Sequence, residues 1–378
     1  MSEATDNKQT ETPEPVAGPV IHVAPSPHSF STSLTTKRMM IDVLIATAPL
    51  VIWAIVQFGM GAVGQLIVCI GGCIIAEAVF TAMRGRCPHK AITDFSAIVT
   101  GVILALSLPC TAPWYVGFIG AGAAVGIGKV VFGGLGQNIF NPAMVGRAFV
   151  MICFAGAMAA PAYKVNLAVV PAPLEATETA LVASAAETRP AGDDIVKVPE
   201  TKPVDVVSQA TPMSTEVNYG ELPVSVSSMF LGNVNGSIGE VSTLACLLGG
   251  LYLCWRRTAA WEIPLGVLLA SACTVVLVHL WGGGAGLSLT DFLGYHMCGG
   301  ALMFGAFYIA TDPVSSPITP KGRWVFGIGL GLFIMLFRTM SAYPEGVMFA
   351  VLMMNAVAPL INRCTIPTPV GGPVPERK

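Results

Sequence analysis

The chain has 378 residues, of which 53% are hydrophobic and 11% charged, against about 25% charged in an ordinary soluble domain. A mean hydropathy of +0.69 and a net charge of −2 exclude a soluble globular enzyme and a broad basic surface for nucleic acid, and describe an integral membrane protein.

In chain order, residues 1–36 are rich in Thr, Glu, Pro and Ser and read as a disordered tail. The first apolar run starts near Ile41, too late for the apolar core of a cleaved signal peptide. A helix needs roughly 20 apolar residues to cross the hydrocarbon. Ten runs approach that length: 39–58, 62–83, 92–109, 114–132, 143–161, 239–255, 262–281, 293–311, 324–340 and 345–362. They predict an all-α membrane protein with a first five-helix unit over 37–161, a polar insert over 162–238, a second five-helix unit over 239–363 and a tail over 364–378.

Charge sets the expected orientation. With the N-terminus in the cytoplasm, the inner loops carry Lys37, Arg38, Arg84, Arg86, Lys90, Arg256, Arg257, Lys321, Arg323 and Arg363, whereas the outer loops 110–113, 282–292 and 341–344 carry no Lys or Arg. Both termini are then cytoplasmic and the insert lies outside. Long segments cross whatever their charge, so Lys164, Arg189, Lys197 and Lys202 do not oppose this. The insert is poor in aromatic residues and rich in Pro, Thr and Glu, which predicts an extended loop that leans on the membrane helices or on a partner.

"GVILALSLPCTAP" (101–113) aligns with "GAFYIATDPVSSP" (305–317), pairing Gly101 with Gly305, Pro109 with Pro313 and Pro113 with Pro317. Each is an apolar half-helix stopped by proline and followed by a Gly-rich span. Five spans per unit is an odd number, so the second unit is expected to be inverted, with its broken helices near the midplane. The plain alternative is coincidence among common Gly and Pro.

Ionisable groups in or near the spans are Asp42, Glu77, Asp94, Lys129, Arg147, Glu240, Glu262, His279, Asp291, His296, Asp312, Arg338 and Glu345. At bilayer depth such groups are costly and often functional. Asp94 and Asp312 flank the two repeat units and are the preferred pathway candidates; helix capping or local pairing is the plain alternative for each. Of the ten cysteines most lie inside apolar runs, and Cys69 and Cys73 share a helix face without a histidine or second pair to complete a metal set, so no metal site is expected. "GAGAAVGIG" lies inside a span and reads as a packing run, not a phosphate loop.

Within the insert, "DVVSQATPM" (205–213) holds a small hydroxyl-rich knot. The Thr211 hydroxyl on an exposed loop can form a phosphoester with a flavin mononucleotide. Ser208 and Ala210 are small enough to admit a transferase, Asp205 could orient the donor, and Pro212 stiffens the loop after the attachment point. A polar turn or a helix N-cap is the plain alternative.

Larger stretches carry a resemblance. "SPHSFSTSLTTKRMMIDVLIATAPL", "DFSAIVTGVILALSLP", "GGLGQNIFNPAMVGRAF", "TDPVSSPITPKGRWVFG" and "YPEGVMFAVLMMNAVAPLINR" make the chain similar, from about Ser26 to Arg363, to the D component of the Rnf electron-transport complex and, more distantly, to the B component of the sodium-pumping NADH:quinone reductase. The resemblance implies a ten-helix subunit of a bacterial inner-membrane ferredoxin:NAD oxidoreductase that couples electron flow to Na⁺ or H⁺ transport. It implies FMN bound through phosphate to the Thr of an Asp-x-x-Ser-Gly-Ala-Thr pattern, read here as Asp205, Ser208, Ala210 and Thr211 with Gln209 in the glycine position. It also implies a non-covalent riboflavin in the membrane domain, a flavin transferase, and partner subunits holding flavin and iron–sulfur centres, so that this chain is not catalytic alone. The rivals are a channel or secondary transporter of similar architecture, and a membrane scaffold without redox function.

Overall fold

A computed structural model of the chain describes residues 35–85, 88–158, 225–232, 234, 236–240, 242–283, 286–340 and 346–365. Among these the regular structure is entirely helical, without a strand. The helices are α1 (Thr36–Phe58), α2 (Met60–Met83), α3 (Pro88–Ile92), α4 (Ser96–Ser107), α5 (Trp114–Val125, continued by a π-helical turn Gly126–Val130), α6 (Pro142–Cys153) and α7 (Ala155–Met158). After the polar stretch come α8 (Val226–Leu231), α9 (Thr243–Trp255), α10 (Glu262–Val278, continued by a π-helical turn His279–Gly283), α11 (Leu289–Cys298), α12 (Leu302–Ile309, π-helical over Gly305–Ile309), α13 (Pro320–Met340) and α14 (Val347–Thr365).

Five helices, α1, α2, α10, α13 and α14, have the length and apolarity to cross a membrane, and α11 with α12 makes a sixth candidate bent by 57°. The chain is thus a multi-pass membrane protein. Each remaining predicted run contains a shorter apolar helix, α4, α5, α6 or α9. The shortening has local causes. The predicted run 92–109 becomes Ser96–Ser107 because Phe95 takes a left-handed backbone (φ 62°) before it, and Leu108 becomes extended ahead of Pro109. The run 293–311 bends where Gly299 is extended and Gly300 takes φ 66°.

Helix starts follow the side chains available to cap them. Asn141 accepts from the Ala143 and Met144 N–H groups with Pro142 in the first turn; Ser242 accepts from Ala245 N and Ser288 from Asp291 N. Facing helices approach closely on glycine. A Cβ on Gly101 of α4 would lie 2.7 Å from the Ile70 Cα of α2, and one on Gly327 of α13 would lie 2.6 Å from the Ile263 carbonyl of α10. The same neighbours recur in both halves: α2 packs on α5 as α10 packs on α13, and α5 on α6 as α13 on α14, while α1 and α9 pack against each other. Large apolar side chains such as Ile52, Ile67 and Leu280 face outward, and Trp114, Trp255, Trp261 and Trp281 are exposed at helix ends, as in the aromatic girdle of a bilayer protein.

A helix that stops inside an apolar layer leaves carbonyls needing donors. At the end of α4, Leu106 O accepts from Gly239 N at 2.6 Å and Leu108 O from Ile238 N at 3.1 Å. At the bend after α11, the Arg338 guanidinium donates to His296 O (2.6 Å) and Gly299 O (2.8 Å). The last residues of the predicted insert are therefore built into the helical body: Met229, Val234 and Ile238 are buried there, and α8 sits against α9 and α11.

Replacing Arg338 by Met should remove both donors at the bend and lower stability by about 1–3 kcal/mol, the cost of leaving buried acceptors unmade. The check is the temperature at which detergent-solubilised protein loses its monodisperse chromatographic peak, with the exposed Arg363→Met as a control expected to change little.

Candidate functional site

Asp205, Ser208, Ala210 and Thr211 lie outside the described residues, as does Glu345. The described residues instead bring together a second locus, a cleft of about 80 Å³ between the two halves. The first half contributes α1, α4, the π turn of α5 and the start of α6; the second contributes the end of α9, Thr258, Tyr308 and residues 311–314.

Its walls are mostly apolar, and its polar groups come from a few places. Asn138 lines the cleft; its Nδ2 donates to Phe140 O at 3.1 Å, while its Oδ1 is buried without a hydrogen-bond partner. Asn141 uses Oδ1 to cap α6 and Nδ2 to donate to Ile309 O at 3.2 Å, joining the first half to the broken helix of the second. With its amide turned to suit its neighbours, Asn355 of α14 donates to Ser315 O (3.3 Å) and accepts from Asn141 N (3.0 Å). Tyr308 donates to the Ala46 carbonyl at 3.0 Å.

Two of the three π-helical turns among the described residues aim side chains at this cleft, Lys129 from one and Tyr308 from the other. A π turn closes its hydrogen bond one residue later than an α turn, here Val131 N to Gly126 O and Ala310 N to Gly305 O. The extra residue rotates the side chains that come after it, and such turns often sit at functional sites.

Lys129 is the centre of a buried polar chain. Its Nζ lies 2.5 Å from Glu77 Oε1 of α2 and 2.6 Å from Ser96 Oγ at the start of α4; the two charged side chains are 3% and 4% exposed. Ser96 Oγ in turn donates to Asp94 Oδ1 at 2.5 Å, and Asp94 also accepts from Ser96 N. The chain Glu77–Lys129–Ser96–Asp94 thus opens onto the cleft through Ser96 and Lys129. Glu77 Oε2 is buried without a hydrogen-bond partner. A lone ammonium or carboxylate at this depth is strongly disfavoured, and the pairing is what permits either to stay charged.

Asp312 lines the same cleft from the other half, accepting from Ser315 Oγ (2.8 Å) and Val314 N (3.4 Å). Both preferred aspartates therefore perform local capping, and both also border the cleft, Asp312 directly and Asp94 through Ser96. Three other ion pairs tie separate elements together. Asp42 accepts from Tyr252, Arg256 and Thr258 across α1 and α9; Arg147 pairs with Glu240 at 3.2 Å and Arg323 with Glu262 at 3.6 Å. No three His, Cys, Asp or Glu side chains converge among the described residues. Sequence reasoning had Glu77 and Lys129 among the ionisable groups but not as partners, and had Asn138 and Asn141 within a distinctive stretch but not at a cleft. The signal for the asparagines was present: polar amides beside proline in an otherwise apolar chain.

The family model described as the NQR2, RnfD, RnfE family matches residues 22–371. The D component of the ion-translocating oxidoreductase complex of Actinobacillus succinogenes is 36% identical over 352 residues, covering 92% of this chain and 96% of its own length. The protein of the same description from Haemophilus influenzae strain PittGG is 36% identical over 370 residues, covering 93% and 98%. The D component of the Na(+)-translocating ferredoxin:NAD(+) oxidoreductase complex of Acetobacterium woodii is 36% identical over 347 residues, covering 91% and 93%.

Glu77→Gln strands the Lys129 charge and should destabilise the protein by about 3–5 kcal/mol, whereas Glu77→Gln with Lys129→Met removes both charges and should recover much of the loss. Thermal denaturation of the single and double variants in detergent measures the coupling; additive losses would mean that the pair does not act as a unit.

Proposed function

The chain belongs to the NQR2, RnfD, RnfE family, and on that premise we propose that it is the flavin-carrying membrane subunit of an Rnf-type complex, relaying electrons while the complex moves Na⁺ or H⁺ across a bacterial inner membrane. The observation that carries the reading is near full-length similarity to the D components of such complexes, one of them named for Na⁺ translocation and ferredoxin:NAD⁺ chemistry.

Ten spans are proposed, in two five-helix units of opposite orientation. The matched packing of α2 on α5 and α10 on α13, the α1–α9 contact between halves, and the interrupted helices α4 and α12 support this. The loop charges support cytoplasmic termini and an outer location for 162–238. The long polar stretch then carries Thr211, whose Oγ would hold FMN as a phosphoester, the flavin transferase cleaving the diphosphate bond of a flavin dinucleotide donor so that a mononucleotide leaves with the hydroxyl proton; Asp205, Ser208 and Ala210 would form its setting. Gln209 stands where the family pattern has Gly, a residue that permits φ > 0 and close approach. Attachment through phosphate leaves the ring free, and the flavin supplies the electron-carrying chemistry.

The interior cleft is the proposed seat of the non-covalent flavin. It combines apolar walls with few polar groups, the usual make-up of a cofactor pocket, and at about 80 Å³ it would have to widen to admit a flavin ring. The buried, unpartnered Asn138 Oδ1 is positioned to accept a hydrogen bond from such a ring. Asn141 and Asn355 keep the two halves at the spacing the cleft requires. The Glu77–Lys129–Ser96–Asp94 chain and Asp312 are the proposed polar route for the coupled ion, since they bring carboxylate oxygens to a cavity at span depth. NAD and iron–sulfur chemistry are assigned to partner subunits.

Mass spectrometry of the peptide containing Thr211, from protein made in its native host, should show the added mass of FMN. Thr211→Ala should abolish in-gel flavin fluorescence and electron transfer by the complex; fluorescence that survives would place the attachment elsewhere, and intact activity would favour a scaffold. Separately, Asn138→Leu should reduce the riboflavin released on denaturation while leaving Thr211-bound FMN in place.

A further inference from the structure

A second concavity lies on the outward face of the helical body, away from the cleft. It is a groove of about 610 Å³ between α2, α5 and α6. Its floor is made by Gly122, Ala123 and Gly126, and its apolar walls by Phe80, Ile119 and Phe149. The groove exists because glycines lie where side chains would fill it. A Cβ on Gly122 would meet nothing within 4 Å, whereas one on Gly126 would lie 2.9 Å from the Phe80 ring, which already rests on it.

The groove has a charged end. Arg84, the C-cap residue of α2, is exposed and lines the mouth, and its Nη1 donates to Val130 O at 3.0 Å. That bond tethers the guanidinium at the opening. A guanidinium has five N–H groups in a planar fork suited to phosphate, so one backbone bond leaves donors for an anion. Arg86 and Lys90 follow closely in sequence. A partner's transmembrane helix would cover the apolar walls but offers no reason for a tethered cation at one end. A phospholipid presents an acyl chain and an anionic phosphate in one molecule, as this groove presents apolar walls and Arg84 together, and basic residues beside a membrane span are the usual mark of acidic headgroups.

We propose that this groove is a specific site for an anionic phospholipid of the surrounding bilayer, with an acyl chain on the Gly122–Gly126 floor and the phosphate at Arg84. The site is independent of the flavin assignments, and the flavin content of each variant reports on those separately.

The test uses the purified full chain, delipidated in detergent, titrated with phosphatidylglycerol or phosphatidylcholine and read by native mass spectrometry. One phosphatidylglycerol per chain should persist at a collision energy that strips phosphatidylcholine. Arg84→Gln should weaken that retention about five-fold, the worth of one basic contact to an acidic headgroup. Gly122→Leu should abolish it by filling open space without touching the protein's own packing. Gly64→Leu, on an exposed glycine of α2 whose Cβ would also meet nothing within 4 Å, should leave it unchanged. Equal retention of the two lipids overturns the proposal, as does phosphatidylglycerol binding that survives both Arg84→Gln and Gly122→Leu. If in the native complex Gly122→Leu expels a neighbouring subunit while phosphatidylglycerol stays bound, the groove is a helix-docking face and the lipid assignment is wrong.

Discussion

A carbonyl that loses its helical partner inside an apolar layer must find another donor, because no water is at hand to replace it. This protein interrupts its helices in the middle of apolar sequence, and the rest of its architecture depends on how those ends are satisfied. The α4 terminus takes backbone N–H groups from Ile238 and Gly239, far along the chain; the bend after α11 takes the Arg338 guanidinium; the last π-helical residue of α12, Ile309, takes the Asn141 amide. Each donor comes from a different element than the break it serves. At the ends of α4 and α12 these bonds also join one half to the other, and the interior space beside the breaks keeps a defined shape.

Electrostatics obeys the same constraint. Ion pairs are found across helices: Lys129 with Glu77, Arg147 with Glu240, Arg256 with Asp42. The last two are struts between elements. The first differs because Ser96 and Asp94 extend it and because Ser96 and Lys129 border the cleft. A charge chain that touches a cavity can respond to what occupies that cavity. On the proposed reading, this is where electron-carrying chemistry and ion movement meet, while the FMN on Thr211 handles exchange with partner subunits outside the lipid.

The outer surface shows a parallel economy of small residues. Glycines on α4 and α13 let helices touch, and Gly122 on α5 faces outward and opens a groove instead. The chemistry of a glycine is the same in each place; the neighbour that meets it, or fails to, decides whether it makes a contact or a space.

Much of this was legible in the residues. Composition alone placed the chain in a membrane, since so few charges cannot coat a soluble surface. The ten apolar runs each hold a helix, and caps such as Asn141 before Pro142 and Ser288 before Asp291 work as their chemistry requires. The proline stop after 107 was readable because proline constrains the residue before it. The length of α4, the bend between α11 and α12, and the partnership of Lys129 with Glu77 across 52 positions were not. Local sequence determines hydropathy, capping and breaks, because these depend on neighbours along the chain. The tertiary structure decided which buried charge meets which, where the cleft opens and which glycine is a contact, because those outcomes depend on how two helices are rotated against each other, and no stretch of either helix carries that information alone.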